Sequence, residues 1–280
     1  MIKNILIISS NHTGNGHKSI TEALQEKFQM RENINVHVVD GFALGGKPLM
    51  TIGKSYGIIT RKAEGLWELI WDISSVKPQI VNENVTNLKE DKDDKKLNCL
   101  IMSGGEGVGN MRKIADILLK NFDCNVNIVA GRNKQLKNKL EQSLLNNFGD
   151  RVKVYGFVDN IQELMLTSDI VFTRASPNVM MEAVACNVPI VMTGELPGQE
   201  QGNSHFAEKY NLGIYCHSTK NIYNIVYELL KDNNKKLEEI KRDQRKYVNF
   251  NSDEEIVDFI DSIDIENSKM PSLKLVGNLI

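Results

Sequence analysis

From residue 97 onwards, short apolar runs alternate with longer amphipathic segments, and this alternation restricts the fold more than any other feature. We interpret the runs as strands and the segments between them as helices. Strand–helix alternation at this period indicates a parallel sheet with right-handed crossovers. The predicted strands are 97–102, 126–130, 152–155, 170–173, 189–193 and 213–216, and the predicted helices are 111–121, 134–147, 161–167, 178–186 and 203–210, with two or three more over 219–262.

The part of the chain before residue 97 contains fewer predicted strands. Residues 4–10 predict a β-branched, buried strand and residues 34–40 a second strand, with an amphipathic helix around 18–29 between them. Two strands resemble a fragment of a sheet, short of a typical domain of roughly 100–150 residues. We therefore divide the chain into an incomplete N-terminal domain (1–81), a polar linker (82–96), a C-terminal domain (97–265) and a tail (266–280).

Composition and charge are those of a soluble globular protein and exclude several functions. Apolar residues make up 41% of the chain and charged residues 25%. A net charge of −2 offers no electrostatic argument for a nucleic-acid partner. The four cysteines lack CxxC spacing and the histidines lack ligand spacing, so we expect reduced thiols, a cytoplasmic location and no metal site. We expect no signal peptide, and no apolar run approaches the roughly 20 residues of a spanning helix, so we expect any membrane contact to be peripheral.

A glycine-rich segment, 103–110, follows one predicted strand and precedes a helix. Glycines let the backbone approach a ligand closely, and a helix N-terminus favours an anion, so a diphosphate is the predicted occupant. The segment is neither a dinucleotide fingerprint nor a Walker A loop. Arg132, at the end of the next strand, is a candidate phosphate partner. Glycine packing and a solvated arginine are the alternatives.

Two further strand ends carry candidate nucleoside contacts. The turn at Phe157 and Val158 has the character of a site for a base edge, although Phe157 alone is also typical of a core residue. Ser176 is a predicted N-cap, with Pro177 at the first helical position. Glu182 on that helix has a carboxylate that suits both hydroxyls of a ribose, and the alternative is a surface glutamate that complements the helix dipole.

A proline-glycine turn, 197–203, follows the strand 189–193 and carries Gln199 and Glu200. Their amide and carboxylate supply the mixture of donors and acceptors that sugar hydroxyls need. His17, in the motif 13–17 after the first strand, has the near-neutral pKa of a general base acting on an alcohol. A solvated turn and a helix-capping histidine are the respective alternatives.

Trp67 and Trp71 are four residues apart on a segment, 51–73, that we predict to be helical. Lys54 and Arg61 lie just upstream, and interfacial tryptophans beside basic residues suit a membrane surface. Core packing of an amphipathic helix is the alternative.

Together these motifs resemble the monogalactosyldiacylglycerol synthase and processive diacylglycerol glucosyltransferase group of family 28 glycosyltransferases. The resemblance implies an α/β protein of the GT-B type, with two Rossmann-like domains of parallel sheet, here with an apparent deletion that truncates the N-terminal one. It also implies metal-independent, inverting transfer of a hexose from a UDP-sugar, without a further cofactor, to a lipid such as diacylglycerol at the inner membrane surface. The motifs that carry it are TGNGH at 13–17, GGEGVGN at 104–110, AGRNK at 130–134, GFV at 156–158, the helix with Glu182, and PGQEQGN at 197–203.

By this resemblance, each candidate residue receives a role. His17 is the implied catalytic base, Arg132 and the loop 104–107 steady the diphosphate, and the turn at 157–158 takes the uracil. Glu182 holds the ribose, and Gln199 and Glu200 hold the hexose. The implied donor-binding set is Gly104, Gly105, Glu106, Gly107, Arg132, Asn133, Phe157, Val158, Ser176, Asn178, Glu182, Gly198, Gln199, Glu200 and Asn203, and the acceptor-side set is Gly14, Asn15 and Gly16.

Two departures from the family pattern keep other functions open. Ser176, Asn178 and Val179 stand where the family usually has glycines and a threonine. Roughly a hundred residues of the acceptor domain are absent before residue 97, judged against a typical domain size. A non-catalytic or decayed nucleotide-sugar binder is therefore the main alternative, and a UDP-sugar epimerase of the same fold is another. The hexose, the lipid and the oligomeric state stay open.

Overall fold

A computed structural model of the chain describes residues 2–10, 15–44, 96–102, 110–196, 200–249 and 251–262. Within these ranges the strands form two separate parallel sheets. The predicted helix over 51–73 and its two tryptophans, the linker up to residue 95 and the tail lie outside the described residues.

The N-terminal sheet pairs two strands in parallel, β1 (Lys3–Ser9) and β2 (Ile34–Asp40). Helix α1 (Asn15–Gln29) connects them and the short helix α2 (Gly41–Leu44) follows. Burial alternates along β1, because α1 covers one face of the sheet while Leu6 and Ile8 on the other face are 59% and 62% exposed.

The C-terminal sheet has six parallel strands in the order β5-β4-β3-β6-β7-β8. The chain runs outwards from β3 to β5 and then returns to β6, which pairs with the other side of β3. The strand order therefore reverses between β3 and β6, and open α/β sheets bind ligands at the carboxyl ends of strands at such a point. The strands are β3 (Leu97–Met102), β4 (Cys124–Val129), β5 (Val152–Tyr155), β6 (Ile170–Thr173), β7 (Ile190–Met192) and β8 (Gly213–Tyr215).

Helices cover both faces of this sheet, because alternate strand residues are buried on opposite sides. Cys99 and Ile101 pack in one cluster with α3, α4 and residues from both parts of α8. Leu100 and Met102 pack in another cluster with α5, α6 and α7. The helices are α3 (Met111–Asn121), α4 (Lys134–Phe148), α5 (Ile161–Leu166), α6 (Pro177–Ala185), α7 (Asn203–Lys209), α8 (Ile222–Tyr247) and α9 (Ser252–Ser262), with 3-10 turns at Gly149–Arg151 and Thr219–Asn221.

Helix α8 is interrupted where Asp232, Asn233 and Asn234 take left-handed backbone angles, with φ of 53°, 55° and 61°. Asparagine and aspartate tolerate this region better than other residues with a Cβ. Beyond the kink, the buried Gln244 donates from Nε2 to the carbonyl oxygens of Val188 at 3.0 Å and Leu212 at 2.7 Å. The second part of α8 thus joins the segments that enter β7 and β8.

Helix α9 returns to the N-terminal sheet and packs against α1 through ion pairs. Lys27 Nζ lies 3.3 Å from Asp253 Oδ2 and 3.3 Å from Glu254 Oε2, and Arg31 pairs with Glu254 and Asp258. The end of the described chain is therefore attached to the N-terminal unit. The domain boundaries drawn from the sequence stay a prediction.

The predicted strands agree with the observed ones to within two residues at each end. The start of α1 differs more, since the helix begins at Asn15 and contains His17 in its first turn, whereas the sequence placed His17 before the helix. Helix starts are hard to read from sequence because the first-turn N–H groups have no partner within the helix.

Candidate functional site

An ion pair joins the two loops that leave β6 and β7 at the carboxyl edge of the sheet. Arg174 Nη2 lies 3.0 Å from Glu200 Oε1, and the Leu196 N–H donates to Glu200 Oε2 at 2.7 Å. Glu200 is only 3% exposed. Burial raises the pKa of Glu200, and the charge of Arg174 and the hydrogen bond from Leu196 oppose that rise. Both carboxylate oxygens are thus engaged by the protein, and a hexose contact by Glu200 stays a prediction.

Asn203 ties the same two loops together from the first residue of α7. Its Nδ2 donates to the Ala175 carbonyl oxygen at 2.8 Å, and the Ala175 N–H donates to the Gly194 carbonyl oxygen at 2.8 Å. The segment between β6 and α6 is therefore held in place by the segment after β7. A donor contact by Asn203 likewise stays a prediction.

Glu182 lies on α6 with its carboxylate half-buried. Burial raises the pKa of Glu182, and among the described residues no hydrogen bond reaches its carboxylate. The charge of Glu182 also helps burial to raise the pKa of the Cys186 thiol to about 11. A desolvated carboxylate with open acceptor positions, on the helix that follows β6, is a candidate functional group.

The start of α6 has the predicted arrangement, with Ser176 at the N-cap position (φ −70°, ψ 125°) and Pro177 at the first turn. The Ser176 side chain makes no capping hydrogen bond there. Asn178 follows in the first turn, half-buried. First-turn N–H groups of a helix lack intrahelical partners and favour an anion.

The turns after β4 and β5 meet beside a cleft of about 460 Å³. Arg132 Cζ lies 4.4 Å from the centroid of the Phe157 ring. Phe157 is 43% exposed, so the alternative that it is a core residue is wrong, whereas Val158 packs against the core. Asn133 caps α4, because its Oδ1 accepts from the Leu136 N–H at 2.9 Å.

His17 is exposed in the first turn of α1. Partial desolvation by the atoms around it lowers the pKa of its imidazole, which favours the neutral form that a general base needs. Thr21 Oγ1 donates to the His17 carbonyl oxygen at 2.7 Å, and it lies 2.5 Å from Ser9 Oγ at the end of β1. The first turn of α1 is therefore anchored to the carboxyl end of β1.

Several sequence-predicted residues lie outside the described residues, so their roles stay predictions. They are Gly14, Gly104, Gly105, Glu106, Gly107, Gly198 and Gln199, and for Asn15 and Gly16 only the helical backbone is described.

The sequence motifs assigned no role to Arg174, and the structure makes it the partner of Glu200. Its Nε atom and the Thr173 Oγ1 atom are buried and lack a hydrogen-bond partner among the described residues. Arg174 and Glu200 are 26 positions apart in the sequence, so no local sequence pattern predicts that they pair. An arginine placed directly after a buried strand was the available signal.

The described ranges contain no cluster of three or more residues that could hold a metal ion. Among the helices described here, none combines the length and the apolar character needed to cross a membrane.

The two parallel sheets, with the site at the carboxyl edge of the second, define a GT-B glycosyltransferase fold. The solved structure of MurG from Acinetobacter baumannii has this fold with a TM-score of 0.58 and 14% identity, covering 94% of this chain and 100% of that one. The GT-B prediction is confirmed.

The sequence profile of the glycosyl transferases group 1 family matches residues 105–247, and the chain belongs to this family. It is 33% identical over 147 residues to the processive diacylglycerol beta-glucosyltransferase of Bacillus pumilus. This match covers 52% of this chain and 38% of that protein. It is 29% identical over 192 residues to monogalactosyldiacylglycerol synthase 3 of Arabidopsis thaliana, covering 66% and 40%. The resemblance to this group is confirmed, and the chain spans less than half the length of either relative.

Proposed function

We propose that this protein transfers a hexose from a UDP-sugar to a lipid hydroxyl such as that of diacylglycerol. The observation that carries the proposal is the half-buried Glu182 carboxylate, which makes no hydrogen bond to a described residue, on the helix that follows β6 beside the reversal of the strand order. Two oxygens with open acceptor positions suit the paired hydroxyls of a ribose. The lipid acceptor is supported by the names of two relatives, a processive diacylglycerol beta-glucosyltransferase and a monogalactosyldiacylglycerol synthase.

The donor would lie along the carboxyl edge of the six-stranded sheet. Phe157 and Val158 would contact the base, and Glu182 the ribose. The glycine loop 104–107 and the start of α6 at Ser176 would present N–H groups to the diphosphate, and the segment 198–203 would contact the hexose. Backbone donors aimed at the leaving diphosphate stabilise the negative charge that develops on it, without a metal ion.

His17 would act on the acceptor. Its neutral imidazole takes the proton from the lipid hydroxyl as the oxygen attacks the anomeric carbon. The bond from that carbon to the UDP oxygen breaks on the opposite side, so the configuration inverts and UDP leaves. The lowered pKa of His17 supports this role, because it keeps the imidazole unprotonated at neutral pH. The lipid would be met by peripheral association with the membrane.

The test has two stages. Calorimetric titration with UDP, UDP-glucose and UDP-galactose should show that the chain binds the nucleotide and one of the sugars. A radiolabelled assay should then show transfer of that hexose to diacylglycerol. Glu182→Gln should weaken binding, and Glu239→Gln on α8 is the matched control. A wild-type chain that binds none of the three ligands would sink the proposal.

A second candidate is a nucleotide-sugar binder without transferase activity. It stays open because Ser176, Asn178 and Val179 depart from the family pattern at the start of α6. Tight UDP-sugar binding with no transfer to any lipid would select this function. Conversion of the UDP-sugar in the absence of lipid would instead indicate an epimerase.

A further inference from the structure

The turns after β4 and β5 carry two side chains that the motifs assign to different parts of the donor. Arg132 is matched with the diphosphate and Phe157 with the base. In the structure, Arg132 Cζ lies 4.4 Å from the centroid of the Phe157 ring. This distance is well within the roughly 6 Å range of a cation–π contact. Two residues expected to serve separate parts of one ligand are therefore stacked on each other.

The order of the strands indicates which part of the donor Arg132 serves. Strand β4 lies between β3 and β5. The glycine loop expected at the diphosphate follows β3, whereas Phe157 follows β5. By stacking on Phe157, the guanidinium lies on the β5 side of its own strand, away from the reversal between β3 and β6.

The surroundings of Arg132 among the described residues also support its contact with Phe157. Across the described ranges no carboxylate pairs with Arg132 and no hydrogen bond restrains its guanidinium, so the Phe157 ring is the contact that orients it. Phe157 keeps 43% of its surface exposed beside the cleft that both residues line. An aromatic ring held by one partner and still open to a cleft is a platform on which a nucleobase can stack.

We infer that Arg132 is a positioning residue that holds the Phe157 ring in the orientation that stacks on the base of the donor, and that it does not bind the diphosphate. The inference rests on the proposed function and deepens it. The contribution of Arg132 to binding then depends on the base and not on the number of phosphates. It also requires the aromatic ring of Phe157.

The experiment is a calorimetric titration with uridine, UMP and UDP of the wild type, Arg132→Met, Phe157→Leu and the double variant. Arg132→Met should lower the affinity for all three ligands by the same factor, roughly two- to fivefold for the loss of an exposed cation–π contact. In the Phe157→Leu background it should cause no further loss. Arg132→Lys keeps the charge without the planar guanidinium, so it should recover part of the affinity.

Lys134→Met is the matched control, because it removes a cation from the same cleft without a ring contact. It should leave uridine binding unchanged. A loss for Arg132→Met that is absent with uridine and grows from UMP to UDP would overturn the inference and make Arg132 a phosphate ligand. Additive losses in the double variant would also overturn it. A wild type that binds none of the ligands would overturn the proposed function itself, which is a distinguishable result.

Discussion

Arg174 and Glu200 form an ion pair with Nη2 and Oε1 3.0 Å apart, between the loops that leave two neighbouring strands. Glu200 is almost fully buried, whereas the Arg174 side chain keeps 26% of its surface exposed. The pair, together with the Leu196 N–H, holds the segment after β7 on the segment after β6. Glu200, in the proposed hexose-binding turn, is therefore also a buried structural carboxylate.

Glu200→Gln should destabilise the protein. It removes the counter-ion of Arg174 in partly buried surroundings, at a cost of about 2 kcal/mol in the free energy of unfolding. Chemical denaturation would measure it, with the exposed Glu208→Gln of α7 as control. Equal stability of the two variants would mean that the ion pair contributes nothing.

Glu182→Gln should stabilise the protein at pH 7 while it weakens UDP binding. Burial raises the folded-state pKa of Glu182, so the carboxyl contributes stability at low pH that is lost as the pH rises through that pKa. The neutral amide avoids this loss, with a gain of the order of 1 kcal/mol. Thermal unfolding at pH 7 and at about pH 4 would check it, since the two proteins should converge at the lower pH.

His17→Ala should reduce transfer by roughly 10²–10⁴-fold and leave donor binding unchanged, because a general base acts only on the acceptor. In the wild type, protonation of His17 should lower kcat/KM on the acid side. Because desolvation lowers the pKa of His17, this decline should set in below the ordinary histidine value of about 6.5. If kcat/KM of the variant still declines over the same acidic pH range, the decline belongs to a titrating group other than His17.

Gln244→Leu should cost about 2–3 kcal/mol, because it leaves the buried carbonyl oxygens of Val188 and Leu212 without their donor. Gln142→Leu on the exposed side of α4 is the matched control and should change stability little. Denaturant unfolding of both variants measures the difference. Similar free energies of unfolding for the two variants would show that the two hydrogen bonds from Gln244 contribute little to stability.

Lys27→Met should loosen α9, because Lys27 pairs with both Asp253 and Glu254 at the contact with α1. These carboxylates raise the pKa of Lys27, so the stabilisation is present at neutral pH and is lost only above about pH 10.5. Hydrogen exchange of residues 252–262 at low and high salt would report the loosening. Lys18→Met, which breaks an exposed pair within α1, should leave that exchange unchanged.

The periodicity of apolar residues was enough to predict the six strands of the C-terminal sheet. The central strands β3, β6 and β7 are local runs buried largely on both faces, so their positions depend little on distant partners. The start of α1 was predicted less accurately, because the sequence placed His17 in the loop before the helix, whereas it lies in the first turn of the helix. Its boundary depends on first-turn N–H groups whose partners come from elsewhere.

The sequence by itself determined the α/β class, the family resemblance and the residue types at the carboxyl edge of the sheet. Only the tertiary structure decided how those residues pair: Arg174 with Glu200, Asn203 with the Ala175 carbonyl, and Arg132 with Phe157. Each pair joins loops of different strands, and the order β5-β4-β3-β6-β7-β8 brings those loops together. Local sequence patterns encode the period of an element, whereas contacts between loops depend on the strand order that long-range packing selects.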